Sequence, residues 1–83
     1  MQDVLTVAEV FGKRLRSIRT AKGLSQERLA EETGLSTNYI GEMERGLKAP
    51  GLGVIVRLSR ALGASVHELL IDFGEPGVRR IRT

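Results

Sequence analysis

The chain has no cysteine, a single histidine (His67) and three aromatic residues, Phe11, Tyr39 and Phe73. Without thiols there is no disulfide framework, no thiolate metal site and no cysteine nucleophile, a composition that suits a reducing, cytoplasmic setting. One histidine and no phosphate-cradling glycine loop leave nothing from which to assemble an acid–base or nucleophilic centre. The expectation is a protein that is not an enzyme, with no catalytic residues, no metal and no cofactor. No apolar run approaches the length of a membrane span and no signal peptide is visible, so no membrane partner is expected. At 83 residues the chain makes one domain, close to the size at which a single core is marginal. That leaves no room for a separate sensing domain, and no small-molecule ligand is expected. With so few aromatics the core must be aliphatic.

What the chain does have is charge, unevenly placed. Thirteen basic and ten acidic residues give a net charge of +3 and point mildly to a polyanionic partner. The first segment carries Lys13, Arg14, Arg16, Arg19 and Lys22 against Asp3 and Glu9. Residues 23–46 reverse this, with Glu27, Glu31, Glu32, Glu42 and Glu44 against Arg28 and Arg45. Whatever the middle segment does, bulk positive charge is not its means.

Helical signals lie between glycines at positions 23, 34, 46, 63 and 74, and strand signals are absent. Thr6-Val7-Ala8-Glu9 is a capping box, followed by Ala8, Phe11, Leu15, Ile18 and Lys22 at helical spacing. Ser25 caps a second helix with Leu29, Ala30 and Thr33 inward and Gly34 as its stop. Ser36 caps a third, with Ile40 and Met43 inward. A fourth follows Pro50 with Leu52, Ile55, Leu58 and Leu62 in register. Ser65-Val66-His67-Glu68 opens a short fifth, carrying Val66, Leu69, Leu70 and Phe73. His67 sits near its exposed start without partners for metal binding or catalysis. Residues 1–73 are thus expected to form one all-α domain of five helices, and residues 74–83, GEPGVRRIRT, a mobile basic tail.

Two short helices joined by a tight, glycine-containing turn, about residues 25–45, read as a helix-turn-helix, whose second helix enters the DNA major groove. The first residues of that helix reach base edges, which accounts for the short polar run Ser36-Thr37-Asn38-Tyr39.

From Phe11 to Leu70 the chain resembles the Xre-type DNA-binding domain of lambdoid phage repressors and Cro proteins. The stretches that carry the likeness are LRSIRTAKGLSQERLAEETGLS, YIGEMERGLKAP and VRLSRALGASVHELL. It also resembles the controller proteins of restriction–modification systems. The resemblance implies a lambda-repressor-like fold with its recognition helix at 36–45. It puts Thr37, Asn38 and Glu42 at base-reading positions, where Asn bonds adenine, Thr packs on a thymine methyl, and Glu accepts from cytosine or excludes wrong bases. It puts Gln26, Arg45 and Lys48 on the DNA backbone, and Ser36 and Tyr39 at the start of the recognition helix are candidates for further backbone contacts. For Tyr39 two readings stay open, a hydroxyl donated to phosphate or a ring packed against the second helix. Arg19 and Glu44 each flank an apolar stripe, and the resemblance implies that they form a structural ion pair. Lys13, Arg14 and Arg16 read as a solvated face, with contact to the DNA backbone as the alternative for Arg14.

One such unit covers a single half-site, too few contacts for genomic selectivity, so a homodimer on a palindromic operator in double-stranded DNA is expected. Val54, Val56 and Ile71 fall outside the inward stripes and are the expected dimer surface. The rival reading is an antitoxin or adaptor using the same fold mainly to bind protein.

Overall fold

The computed structural model describes residues 4–74 and 77–82. A two-residue strand β1 (Leu5–Thr6) leads into α1 (Val7–Ala21), α2 (Gln26–Thr33), α3 (Thr37–Glu44), α4 (Leu52–Leu62) and the single turn α5 (Val66–Leu69). Two 3-10 turns, Ile71–Phe73 and Gly77–Arg80, carry the chain to β2 (Ile81–Arg82), which pairs in parallel with β1.

The helix starts follow from their caps. The Thr6 hydroxyl accepts from the Glu9 N–H at 3.1 Å, and the Glu9 carboxylate accepts from the Thr6 N–H at 2.9 Å, closing the box at the head of α1. Ser25, Ser36 and Ser65 each accept a backbone N–H from the third residue onward. Gly34 ends α2 at φ 74°, a left-handed conformation that costs glycine nothing, and its N–H returns to the Ala30 carbonyl at 3.0 Å.

The core is aliphatic. Leu15, Leu29, Ile40, Met43, Leu58 and Leu69 are fully buried together with Phe11. α3 lies against both α1 and α2, while α4 lies against α2 and α5. The seam between α1 and α3 is tight at Gly12, whose missing Cβ would meet the Met43 carbonyl oxygen and lie 2.9 Å from that of Glu44.

Four details depart from the sequence reading. Lys22 is not part of the inner face of α1 but its exposed C-cap. Leu52 is 69% exposed, because the first turn of α4 overhangs the core. Val54, expected outside, packs against the core with Ala61, so the inner face is Val54, Ile55, Leu58, Ala61 and Leu62. Phe73 packs on the core from the 3-10 turn rather than from a continued α5. The tail differs too. Residues 75, 76 and 83 lie outside the described residues, but 77–82 are not loose: they turn back and pair with β1, adding strands that no sequence signal marked.

The glycines give a stability test. Gly12→Ala gains about 1 kcal/mol of helix propensity, yet its Cβ meets backbone carbonyls that cannot step aside, an overpacking cost of roughly 1–3 kcal/mol. Gly53, the second residue of α4, faces open space, so Gly53→Ala gains part of that propensity at no steric cost. Urea melts should show Gly53→Ala more stable than wild type and Gly12→Ala less stable; equal stabilisation of both would mean that α1 and α3 are not in close contact.

Candidate nucleic-acid interface

The candidate surface is built on one buried charge. Arg19 in α1 is only 8% exposed. Its Nε and Nη2 donate to the two oxygens of Glu44 at the end of α3, the latter at 2.9 Å, and its Nη1 donates to the Leu24 carbonyl at 2.7 Å. Gln26, the first residue of α2, adds its Nε2 to Glu44 Oε1 at 3.0 Å. Each nitrogen of the guanidinium and each oxygen of the carboxylate thereby has a partner, as does every buried side-chain polar atom among the described residues.

Burial alone would raise the Glu44 carboxyl, but the hydrogen bonds from Arg19 and then Gln26 outweigh it and hold the group below its ordinary value. The Glu44 carboxylate in turn keeps Arg19 raised. A carboxyl depressed in the folded chain binds fewer protons there than in the unfolded one. Its contribution is therefore present above the ordinary carboxylate range and lost as pH falls through the folded value.

The network fixes how α2 and α3 stand. Ser36 and Arg45, expected as the ends of the recognition helix, are the N-cap and C-cap of α3. Asn38 is exposed and Thr37 half-buried at its free end. Tyr39 is half-buried and packs against the core, in line with the packing reading of its ring. Gly41 is buried, and a Cβ there would lie 3.0 Å from the Arg45 guanidinium and 3.8 Å from Gln26 Oε1. Gly41 thus makes the hollow in which Arg45 lies back across α3. Glu42 and Lys48, expected to meet DNA separately, face each other at 3.6 Å. An exposed pair of this kind is worth at most about 1 kcal/mol, so it sets a resting position for Lys48 without holding it there.

The sequence missed one pair entirely. Arg14, expected on a solvated face, grips Asp72 through Nε at 2.9 Å and Nη2 at 2.8 Å. These residues are 58 apart in the chain, and no local pattern links them. Val56 is half-buried and Ile71 is 49% exposed, and an apolar groove of ≈ 160 Å³ is lined by Val7, Phe11, Ala49, Pro50, Ile55, Leu70 and Phe73. Among the described residues no group of acidic or histidine side chains is arranged to hold a metal ion, and no helix is long and apolar enough to cross a membrane.

The helix-turn-helix family profile matches residues 15–69, the span from mid-α1 through α5. The chain belongs to the Xre-like helix-turn-helix family of transcriptional regulators. It is 43% identical over 65 residues to the control protein C.BamHI of Bacillus amyloliquefaciens, covering 77% of this chain and 79% of that one. The restriction–modification controller protein C.AhdI of Aeromonas hydrophila has the same fold, with a TM-score of 0.73, 48% identity, and coverage of 75% of this chain and 94% of that one. The biofilm master regulator SinR, solved in complex with DNA, matches at a TM-score of 0.69 and 36% identity, over 72% of this chain and 97% of that one. These relatives are regulators rather than enzymes.

Arg19→Met should cost about 3–5 kcal/mol by stranding a buried carboxylate, and more than the double change Arg19→Met with Glu44→Leu. The double variant should also lose less stability than wild type when the pH is lowered from neutrality through the carboxylate range. Additive losses for the single changes, or an unaltered acid limb in the double variant, would show that the two charges are not coupled.

Proposed function

We propose that the chain is a sequence-specific duplex-DNA-binding regulator that acts as a homodimer on a palindromic operator, with α3 in the major groove. The observation that carries this is the α2–turn–α3 unit: it is held rigidly from behind by the Arg19–Glu44–Gln26 network, and its exposed end bears Ser36, Thr37 and Asn38. Short hydrogen-bonding side chains on a rigid helix end suit base edges better than an apolar docking surface would. Thr37, Asn38 and Glu42 read bases. Ser36, Arg45, Lys48, the hydroxyl of Tyr39, whose ring packs on the core, and the N-terminus of α2 at Gln26 hold phosphates, the last aided by the positive end of the helix. The solved complex of SinR with DNA supports this use of the fold.

The dimer surface consists of Val56 and Ile71, with the overhanging Leu52 in place of Val54, which the core occupies. Two copies on a two-fold axis put their α3 helices about 34–36 Å apart, one turn of the duplex.

Asn38→Ala should cost roughly 1–3 kcal/mol on an operator selected from random duplex and little on unselected DNA. Lys48→Ala should weaken both alike and reduce the salt slope by about one. Equal losses from Asn38→Ala on both duplexes would refute base reading, and a duplex shift insensitive to salt would favour the adaptor reading. Val56→Glu with Ile71→Glu should give a folded monomer with weakened operator binding. Wild-type protein still monomeric in sedimentation equilibrium at about 100 µM, far above the dissociation constants of specific dimers, would refute the dimer.

A further inference from the structure

The helix-turn-helix segment is net acidic, yet non-specific attraction to a duplex comes almost wholly from cations on its phosphates. Glu27, Glu31, Glu32, Glu42 and Glu44 outnumber Arg28 and Arg45 in residues 23–46. A duplex would gain from cations elsewhere in the fold besides Arg45 and Lys48, and the returning C-terminal strap, residues 77–82, is rich in arginine.

The strap is held at several points. The Arg14–Asp72 pair secures the first 3-10 turn. Gly77 passes so close to that turn that a Cβ would lie 2.7 Å from the Asp72 carbonyl oxygen. The Val78 N–H donates to the Gly74 carbonyl at 3.1 Å, and Ile81 and Arg82 take register beside Leu5 and Thr6. Ile81 is half-buried, so Arg80 and Arg82 on either side of it are exposed.

This register brings Arg82 to the neighbourhood of the loop between α3 and α4. Thr6 caps α1 and is bonded to Glu9. Glu9 lies directly against that loop, its Cγ 2.8 Å from where a Cβ of Gly46 would be. Arg45 precedes Gly46, and Lys48 follows two residues later. The Glu9 carboxyl is below its ordinary value chiefly because Thr6 holds it, and further because Arg82 and Lys13 bring positive charge near.

We propose that the strap is a second phosphate-binding element, in which Arg80 and Arg82 extend the basic edge of Arg45 and Lys48 so that a duplex seated on α3 also runs its backbone across the strap. The inference rests on the DNA-binding reading above. Guanidinium groups match phosphate oxygens in two-pronged geometry. They read no sequence, so the strap contributes equally on any duplex.

The test uses full-length protein with the selected operator and a random duplex of equal length, and follows affinity against salt. Arg80→Gln with Arg82→Gln should make the slope shallower by about one to two on both duplexes. Gly77→Val keeps every charge but cannot approach Asp72, and should reproduce most of that loss with the helical content unchanged. Lys48→Ala is the control for the α3 surface. If the double arginine variant keeps the wild-type slope while Lys48→Ala flattens it, the strap proposal is overturned and the reading of α3 stands. If the arginine variant flattens the slope but Gly77→Val does not, the arginines act as loose charge and the placed strap is overturned. If Lys48→Ala and Asn38→Ala are also without effect, the DNA-binding reading itself fails and takes the strap with it.

Discussion

Arg19 carries a full charge into the seam between α1 and α3, and the arrangement of the other helices depends on how that charge is met. A buried guanidinium left without acceptors is far too costly for so small a domain. Its acceptors come from the end of α3 and from the loop before α2, and Glu44 draws in the first residue of α2 as well. Three elements are therefore tied at one point. Apolar burial supplies most of the driving force for folding but has no preferred direction. Hydrogen bonds to a planar guanidinium do. The core brings α1, α2 and α3 together; the network decides the angle at which α3 stands. Gly12 permits this by letting the α1 backbone approach the carbonyls of Met43 and Glu44 within the reach of Arg19.

Charge is distributed along the same lines. The paired helices of the helix-turn-helix carry an acidic excess, part of it spent inside the molecule on Arg19 and part balanced at the surface, as in the Arg28–Glu32 and Lys48–Glu42 pairs. Surface pairs of this kind are weak and exchangeable, whereas the buried one is not. This suits a surface whose outer cations change partners while its supporting charges stay in place. The strap carries further exposed arginines, and its base is secured by Arg14 and Asp72.

The sequence reading erred where two helical registers fitted equally well. Ile55, Leu58 and Leu62 are buried as their spacing predicts, but that stripe extends equally well to Leu52 or to Val54 and Ala61, and only the position of the facing helices chooses between them. Leu52 lies one turn too early to reach the core and stays exposed. Lys22 failed in the same way at the other end of a helix, where the stripe had already run out. Tyr39 could not be resolved from sequence because its ring suits both packing and phosphate. The roles proposed for Asn38 and Lys48 rest on their position in a recognised motif rather than on local chemistry.

The sequence by itself determined the local punctuation of this protein: the capping box of α1, the serine caps, the glycine stops and the polar opening of α3. Each is settled by hydrogen bonds and backbone sterics among residues no more than about four apart, which form much the same way in any context. Only the tertiary structure decided that Arg14 meets Asp72, that Glu42 faces Lys48, and that Ile81 and Arg82 lie beside Leu5 and Thr6. A two-residue strand has no period to recognise, and pairs distant in the chain exist only after the core has closed the loops between them.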